Sequence, residues 1–575
     1  MKKAFLILLL VPLVARAQNL ITYQWKFSTG DNMEWSEMEF DDSSWKEINV
    51  SQTWEKQGYP AYDGFGWYRT TVLIPSDLKK LAEDNGGFIL DLGSIDDSDE
   101  IYWNGDLFAR HGSLPPDYVS AYDQKRILEI PVNEINWDNK NYIAVRVYDG
   151  QGNGGIIAPD ISLRVKGMSD LVKMNINPPF PDHIYTDVKD VIIPFEIQNN
   201  YSKSLEGDLA INIFTDFGEN IYSSEERMKL RKNRTYKTEI VVDDPGPGFY
   251  NASITFKGSM ENKSFNFAFG KDPEKIISPL DRPEDFEDYW SRAKKELAAV
   301  APQFKMIYQE SMSTPSREVY LVEMRSLGNV LVRGWYGRPV KKGTYPAILH
   351  VQGYSSNQTL GWSYPGDDMV VFALNIRGHG NSRSHINPGF PGYLQYFIQD
   401  PEMYIYRGAY MDCIRAVDFL FSRPEVDTTR IIVEGGSQGG ALSFATAALD
   451  NERITLCVPH VPFLSDFKDY FKVATWPASE FIVHEKKHPE VSWDDIYNTL
   501  SYIDIKNLAP WIKAPLLMGV GLIDQTCPPH INFAAYNHVN SDKEYVVYPW
   551  SGHAIDGSYH SFKYEWIKKQ LNKLD

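Results

Sequence analysis

Cysteine is scarce in this chain: Cys413, Cys457 and Cys527 are the only three among 575 residues, and all lie in its last third. An odd, clustered count excludes a closed disulfide framework, and the thiols read as small buried apolar side chains. Positive charge is also in deficit, with 58 Lys and Arg against 76 Asp and Glu, a formal net charge of −18. A nucleic-acid partner is therefore not expected, because phosphates need cations to neutralise them. Long apolar runs are missing as well. The run from Ala4 to Val14 falls short of the ~20 residues that span a bilayer, so no membrane insertion is expected. Repeats of solenoid or propeller-blade length are absent too. The short run does carry a signal: Lys2 and Lys3 precede it and Ala15-Arg16-Ala17 follows it. That is the pattern of a signal peptide over residues 1–17, which predicts an exported, periplasmic or secreted protein.

The length calls for several domains, each with its own core. From Leu20 to about Val165, short alternating runs such as Tyr68-Arg69-Thr70-Thr71-Val72-Leu73-Ile74 and Tyr142-Ile143-Ala144-Val145-Arg146-Val147 are separated by Gly, Asp and Asn. This predicts an all-β sandwich. Within it, Ile101-Tyr102-Trp103-Asn104-Gly105-Asp106 reads as a strand entering a two-residue hairpin turn. A second β-rich stretch, about 168–269, predicts an immunoglobulin-like spacer, with Lys271 to Pro283 as a linker. Beyond Arg282, Phe286, Tyr289, Trp290, Ala293 and Leu297 recur at helical spacing. Continuous apolar strands such as Ala347-Ile348-Leu349-His350-Val351 and Ile431-Ile432-Val433 then alternate with helices, as in a mostly parallel sheet covered on both faces. The expected boundaries are 18–165, 166–270 and 271–575.

Chemistry concentrates at Gly435-Gly436-Ser437-Gln438-Gly439-Gly440, between the strand Arg430 to Glu434 and a helix-forming run from Ala441 to Leu449. A serine in Gly-x-Ser-x-Gly between strand and helix is a nucleophile elbow. The glycines permit backbone crowding, and the helix N-terminus aims N–H groups at developing negative charge. A serine hydroxyl needs a histidine to take its proton and an acid to orient that histidine, in the chain order Ser, acid, His on an α/β-hydrolase. Asp524 follows the strand at Pro515 to Val520, and His553 follows the strand Tyr545 to Tyr548, each at a strand's C-terminal end. The rival histidines His530, His538 and His560 do not directly follow a strand. The rival acids Asp504 and Asp542 read as ordinary solvent-facing residues.

These features resemble known families. Trp67-Tyr68-Arg69, Trp103-Asn104-Gly105 and Ala144-Val145-Arg146-Val147 resemble the jelly-roll, galactose-binding-like module at the N-terminus of family-two glycoside hydrolases. Residues from about Arg282 to Leu574 resemble the acetyl xylan esterase and cephalosporin C deacetylase family, carbohydrate esterase family seven. That resemblance rests on Asp285-Phe286 with Tyr289-Trp290, Arg377-Gly378-His379-Gly380, the serine elbow, and Gly521-Leu522-Ile523-Asp524 running into Cys527-Pro528-Pro529. It implies a serine esterase removing O-acetyl groups from polysaccharides or oligosaccharides such as acetylated xylan, without cofactor or metal. Ser437, Asp524 and His553 would form the triad, and the backbone N–H groups of Tyr354 and Gln438 the oxyanion hole. Three residues depart from the family pattern: Gln352, His379 and Ala554 replace its His, Gln and Glu.

His484-Glu485-Lys486-Lys487-His488 fits a zinc-protease pattern, but Pro489 disturbs a continuing helix and no third ligand is evident, so a solvated surface run is expected. Two other functions are compatible with the fold: a serine peptidase of prolyl-oligopeptidase type, disfavoured by the missing propeller, and a non-catalytic carbohydrate-binding protein. The sequence leaves homo-oligomerisation open.

Overall fold

A computed structural model describes residues 19–573 apart from 61, 123, 151–152, 158–160, 259–260, 358 and 361–367. The expected signal peptide, 1–17, lies outside the described residues. Alternating burial drives the first part into two facing sheets. The larger runs Lys46–Asn49, Gln24–Thr29, Gly64–Leu73, Lys140–Asp149, Ser98–Trp103 and Asp106–His111 in spatial order, and the smaller is built on Ser162–Val165, Phe88–Asp96 and Lys125–Ile130. Trp25, Trp54, Leu90, Trp103 and Val145 fill the space between them. Asn104 and Gly105 make the expected hairpin turn, with φ of 51° and 90°. Only residues tolerant of positive φ suit such a turn, which explains the Asn-Gly pair. This is the jelly-roll part.

The middle part is a second sandwich. Its three-stranded sheet holds Val172–Ile176, Val191–Asn199 and Arg234–Val242. Its five-stranded sheet runs Ile184–Tyr185, Asn262–Lys271, Gly248–Gly258, Leu205–Thr215 and Asn220–Leu230. Among the described residues the sheets face each other in two pairs and do not repeat as the blades of a propeller.

The C-terminal part is a nine-stranded sheet. Antiparallel strands Lys305–Tyr308, Arg317–Ser326 and Val330–Pro339 lead into a parallel run ordered Val370–Asn375, Tyr345–Val351, Val426–Gly436, Leu456–His460, Leu516–Gly521 and Lys543–Tyr548. The helix Phe286–Ala299 buries the five residues picked out by their spacing, Phe286, Tyr289, Trp290, Ala293 and Leu297. Helices Ile405–Phe421 and Gln438–Leu449 are buried along most of their length, as expected for layers flanking a parallel sheet. Among the described residues no helix is long and apolar enough to cross a membrane.

The segment expected as a linker is bonded to its neighbours. Ser278 Oγ donates to Asp466 Oδ2 at 2.7 Å, Asp281 N to Asn507 Oδ1 at 3.1 Å, and Arg282 Nε to Asn507 O at 2.8 Å. Apolar contact also joins the middle sandwich to the C-terminal part directly, with the ring of Phe249 5.5 Å from that of Phe533.

Candidate active site

The strand Val426–Gly436 turns directly into the helix Gln438–Leu449 at Ser437, whose φ of 58° and ψ of −122° lie outside the regions L-residues ordinarily occupy. Such strain persists only where the surroundings over-determine it. Gly435 and Gly439 make the turn possible: a Cβ on either would sit 2.5 or 2.3 Å from the Val351 carbonyl oxygen on the adjacent strand. Ser437 N donates to His460 O at 3.0 Å, and Ser437 O accepts from Phe463 N at 3.0 Å, so the elbow's backbone is pinned on both sides. The first N–H groups of the following helix have no partner within the helix and are available to an oxyanion.

Asp524 and His553 come from loops after Leu516–Gly521 and Lys543–Tyr548, the second and third strands beyond the elbow strand in the sheet. His553 Nδ1 lies 2.8 Å from Asp524 Oδ2. The other carboxylate oxygen, Oδ1, accepts from Thr526 N at 2.8 Å and Cys527 N at 3.0 Å. The Asp524 side chain is fully buried, and that of His553 is 34% exposed. Such an acid orients an imidazole through one nitrogen and leaves the other for proton transfer. His553 and Ser437 line one cavity of about 350 Å³.

The residues that depart from the family pattern organise the far side of the elbow. Gln438 Oε1 accepts from Tyr406 Oη at 2.6 Å, and its amide nitrogen sits 3.3 Å from both Gln352 O and His379 Nε2. Because an amide N–H can only donate, His379 Nε2 is the acceptor. Burial pushes the His379 pKa down to about 3, so the ring is neutral and can fill that role. Gln352 Oε1 accepts from Ile376 N at 3.1 Å. Tyr354 donates its hydroxyl to Glu480 at 2.8 Å and packs against Phe390 at 4.9 Å. Ala554 is exposed. Arg377 is held away from the cavity by Asp412, with contacts of 2.9 and 2.7 Å, a structural pair.

Sequence reasoning missed two features. Cys527 Sγ lies 4.0 Å from Ser437 Oγ, closer than its reading as a mere core filler implied. Burial, reinforced by the Asp524 charge, raises its pKa well above the ordinary value, so it stays a thiol. The cavity is also rich in imidazole: His350, His460 and His560 line it with Lys563. Burial and the Lys563 charge push His460 and His560 down, so both are neutral. Lys563 pairs at 2.5 Å with the fully buried Glu434, whose other contact is His350 at 2.8 Å. A buried carboxylate at the end of the elbow strand was not legible as a partner for two residues far away in the chain.

The rival residues sort clearly. Asp504 was expected to face solvent and does not. It is buried and accepts from the N–H groups of Asp466, Phe467 and Lys506 at 3.0, 3.3 and 2.9 Å, ordering the turn at the start of the helix Phe467–Val473. Asp542 is exposed. His538 Nε2 donates to Ser278 O at 2.6 Å. His530 bridges bodies, its Nδ1 2.9 Å from Asp216 of the middle sandwich and its Nε2 3.6 Å from Asp469.

Two groups bring metal-ligand atoms together among the described residues, Asp524 with Cys527 and His553, and Asp466 with Asp469 and His530. The first offers a thiol where metals need thiolate. The second already holds Lys506 Nζ, 3.0 Å from Asp466 Oδ1. The helix carrying His484 ends at Lys487, before Pro489, and His488 pairs with Glu490 at the surface.

The model of the family described as acetyl xylan esterase (AXE1) matches residues 275–570, just over half of the chain. The chain belongs to the acetyl xylan esterase family. Like the other members it is a hydrolytic carbohydrate esterase. It is 27% identical over 360 residues to the acetyl esterase Axe7A of Xylanibacter ruminicola, covering 59% of this chain and 79% of that protein. Among solved structures it resembles acetyl xylan esterase 1 from a Thermoanaerobacterium species, at 31% identity and TM-score 0.49, covering 52% of this chain and 97% of that one. An acetyl xylan esterase from a Paenibacillus species is similar at 33% identity and TM-score 0.48, covering 52% and 98%.

Proposed function

We propose that this acetyl xylan esterase family member is exported, to the periplasm or beyond, and removes O-acetyl groups from polysaccharide fragments such as acetylated xylan with a triad of Ser437, Asp524 and His553. The observation that carries the reading is the His553–Asp524 pair, 2.8 Å apart, whose histidine lines the same cavity as a serine on a strained strand-to-helix elbow. Ser437 Oγ attacks the ester carbonyl while His553 takes its proton. The tetrahedral oxyanion is held by the N–H groups of Gln438 and Tyr354. The C–O bond to the sugar breaks as His553 returns the proton to the leaving sugar hydroxyl, and water, deprotonated by His553, then releases acetate from the acyl-serine. Asp524 keeps its negative charge and orients the ring throughout. No cofactor or metal enters these steps. The units that accompany the reaction are a leader at 1–17, a jelly roll at 18–165, a sandwich at 166–270 and the esterase at 271–575.

The acyl side gives the test. Tyr354 is wedged between Phe390 at 4.9 Å and Trp476 at 5.8 Å beside the elbow, which favours a short acyl group. Forcing extra methylenes into a packed site costs on the order of 1–3 kcal/mol, roughly tenfold to a hundredfold in rate. Acetate esters should show kcat/KM higher by that factor than butyrate or octanoate esters of the same alcohol. Equal or greater values for octanoate would reject a deacetylase.

A further inference from the structure

We propose that the outer face of the middle sandwich and the loop carrying Trp550 form a groove that binds a neutral polysaccharide chain and feeds it to Ser437. This rests on the esterase reading above and extends it, because it makes the middle sandwich part of the substrate site and not a spacer.

The groove has a volume of about 590 Å³. One wall is the hydrolase loop at Asp524 with Trp550; the other is the sheet face of Leu205–Thr215, Gly248–Gly258 and Asn262–Lys271. Along Gly248–Gly258 the core takes Tyr250, Ala252 and Ile254. Side chains alternate along a strand, so Phe249, Asn251 and Ser253 occupy the opposite face. That face changes character along its length. At one end Phe249 packs on Phe533 of the hydrolase; at the other it is polar. Ser253 stands opposite Asn266 on one neighbour and Asn212 on the other, and Asn212 stands opposite Ser223. Short amide and hydroxyl side chains thus form a row across four adjacent strands, about 14 Å long at the usual strand spacing.

The chemistry of the lining selects the occupant. Among the described residues no Lys or Arg lines the groove, and its two carboxylates are already engaged, Asp216 by His530 at 2.9 Å and Asp524 by His553 at 2.8 Å. A polyanion would find no cation. A neutral chain of hydroxyl groups finds amides and hydroxyls that can donate and accept. Trp550 supplies the apolar element such a chain needs for the C–H faces of its rings. Its indole is 53% exposed, yet it is braced edge-on by His183 at 5.1 Å and tilted against Phe265 at 6.1 Å, both from the sandwich. A rigid exposed aromatic loses little entropy on binding. Trp550 lies three residues before His553, so their Cα atoms are at most ~11 Å apart. A chain resting on it therefore runs alongside the loop that carries His553.

The test uses the full-length protein, with xylohexaose, mannohexaose and cellohexaose as neutral probes and a galacturonic acid hexamer as the charged one. Isothermal titration should detect binding of at least one neutral hexasaccharide and weaker binding of the charged one. Trp550→Ala and the double variant Asn251→Ala/Asn266→Ala should each weaken the neutral probe about tenfold. Both should lower kcat/KM on an acetylated polysaccharide by a similar factor while p-nitrophenyl acetate turnover stays near wild type. The groove is overturned if no neutral hexasaccharide binds, if the variants bind as tightly as wild type, or if the charged probe binds equally well. Loss of p-nitrophenyl acetate turnover with binding intact overturns it too. Failure of the wild-type protein to cleave p-nitrophenyl acetate counts instead against the esterase reading, and the titration still judges the groove.

Discussion

Two histidines 23 positions apart each face a carboxylate at about the same distance, 2.8 Å for His553 and 2.9 Å for His530, yet of the two only His553 lines the Ser437 cavity. His553 spends one nitrogen on Asp524 and keeps a third of its side chain open to the Ser437 cavity. His530 has a side chain only 9% exposed and lies between two carboxylates, Asp216 of another body 2.9 Å from Nδ1 and Asp469 3.6 Å from Nε2. Burial alone would push the His530 pKa down, but Asp216 and Asp469 overcome it and hold the ring's pKa up to about 9. What separates the two rings is how far each is enclosed and whether a second carboxylate faces its other nitrogen, not the presence of an acid beside the ring.

Three substitutions and a pH series test that contrast. The largest effect should come from His553→Ala, which should cost on the order of 10⁶ in kcat, with Asp524→Asn about 10⁴, in p-nitrophenyl acetate hydrolysis and with melting temperatures near wild type. Activity within tenfold of wild type in His553→Ala would erase the distinction. His530→Ala should reverse the pattern, keeping kcat within a few-fold while lowering stability by about 2 kcal/mol in urea unfolding. The two carboxylates it abandons are partly screened, so the full penalty of a buried unpaired charge is not expected. The smallest effect is the pH response of the same contact. Because the folded pKa of His530 is raised, its charged pairing contributes fully below the ordinary imidazole pKa of ~6.5 and is lost as pH rises through about 9. Neutral imidazole still donates one hydrogen bond to Asp216, so the alkaline loss should be smaller than that of His530→Ala and absent from the variant. A stability curve that falls equally in both would locate the alkaline loss elsewhere.

Legibility in the sequence followed the range of the interaction. The elbow between strand and helix, the apolar stripe of Phe286–Ala299 and the Asn104-Gly105 turn are local patterns, and spacing or backbone preference was enough to read them. Asp524 and His553 could be named as candidates from strand ends alone, but the bond between them needs the fold. Asp504 was misread because burial of a lone carboxylate depends on which backbone N–H groups surround it, and those of Asp466 and Phe467 arrive from nearly forty residues away. The Asp216–His530 contact, 314 residues apart, had no local trace at all. The same holds for Glu434, whose partners Lys563 and His350 sit 129 and 84 positions distant, and for the polar row on the middle sandwich, which is scattered over four strands.

The twisted backbone at Ser437 has a cost that selection must keep meeting. Holding a non-glycine residue at a φ of 58° and ψ of −122° takes about 1–3 kcal/mol from a molecule whose whole margin is about 5–15. Glycine at that position would relieve the strain and lose the proposed nucleophile in a single step. Drift toward a sturdier fold and drift toward an inert one therefore run in the same direction here, and only demand for the reaction keeps a serine on the elbow.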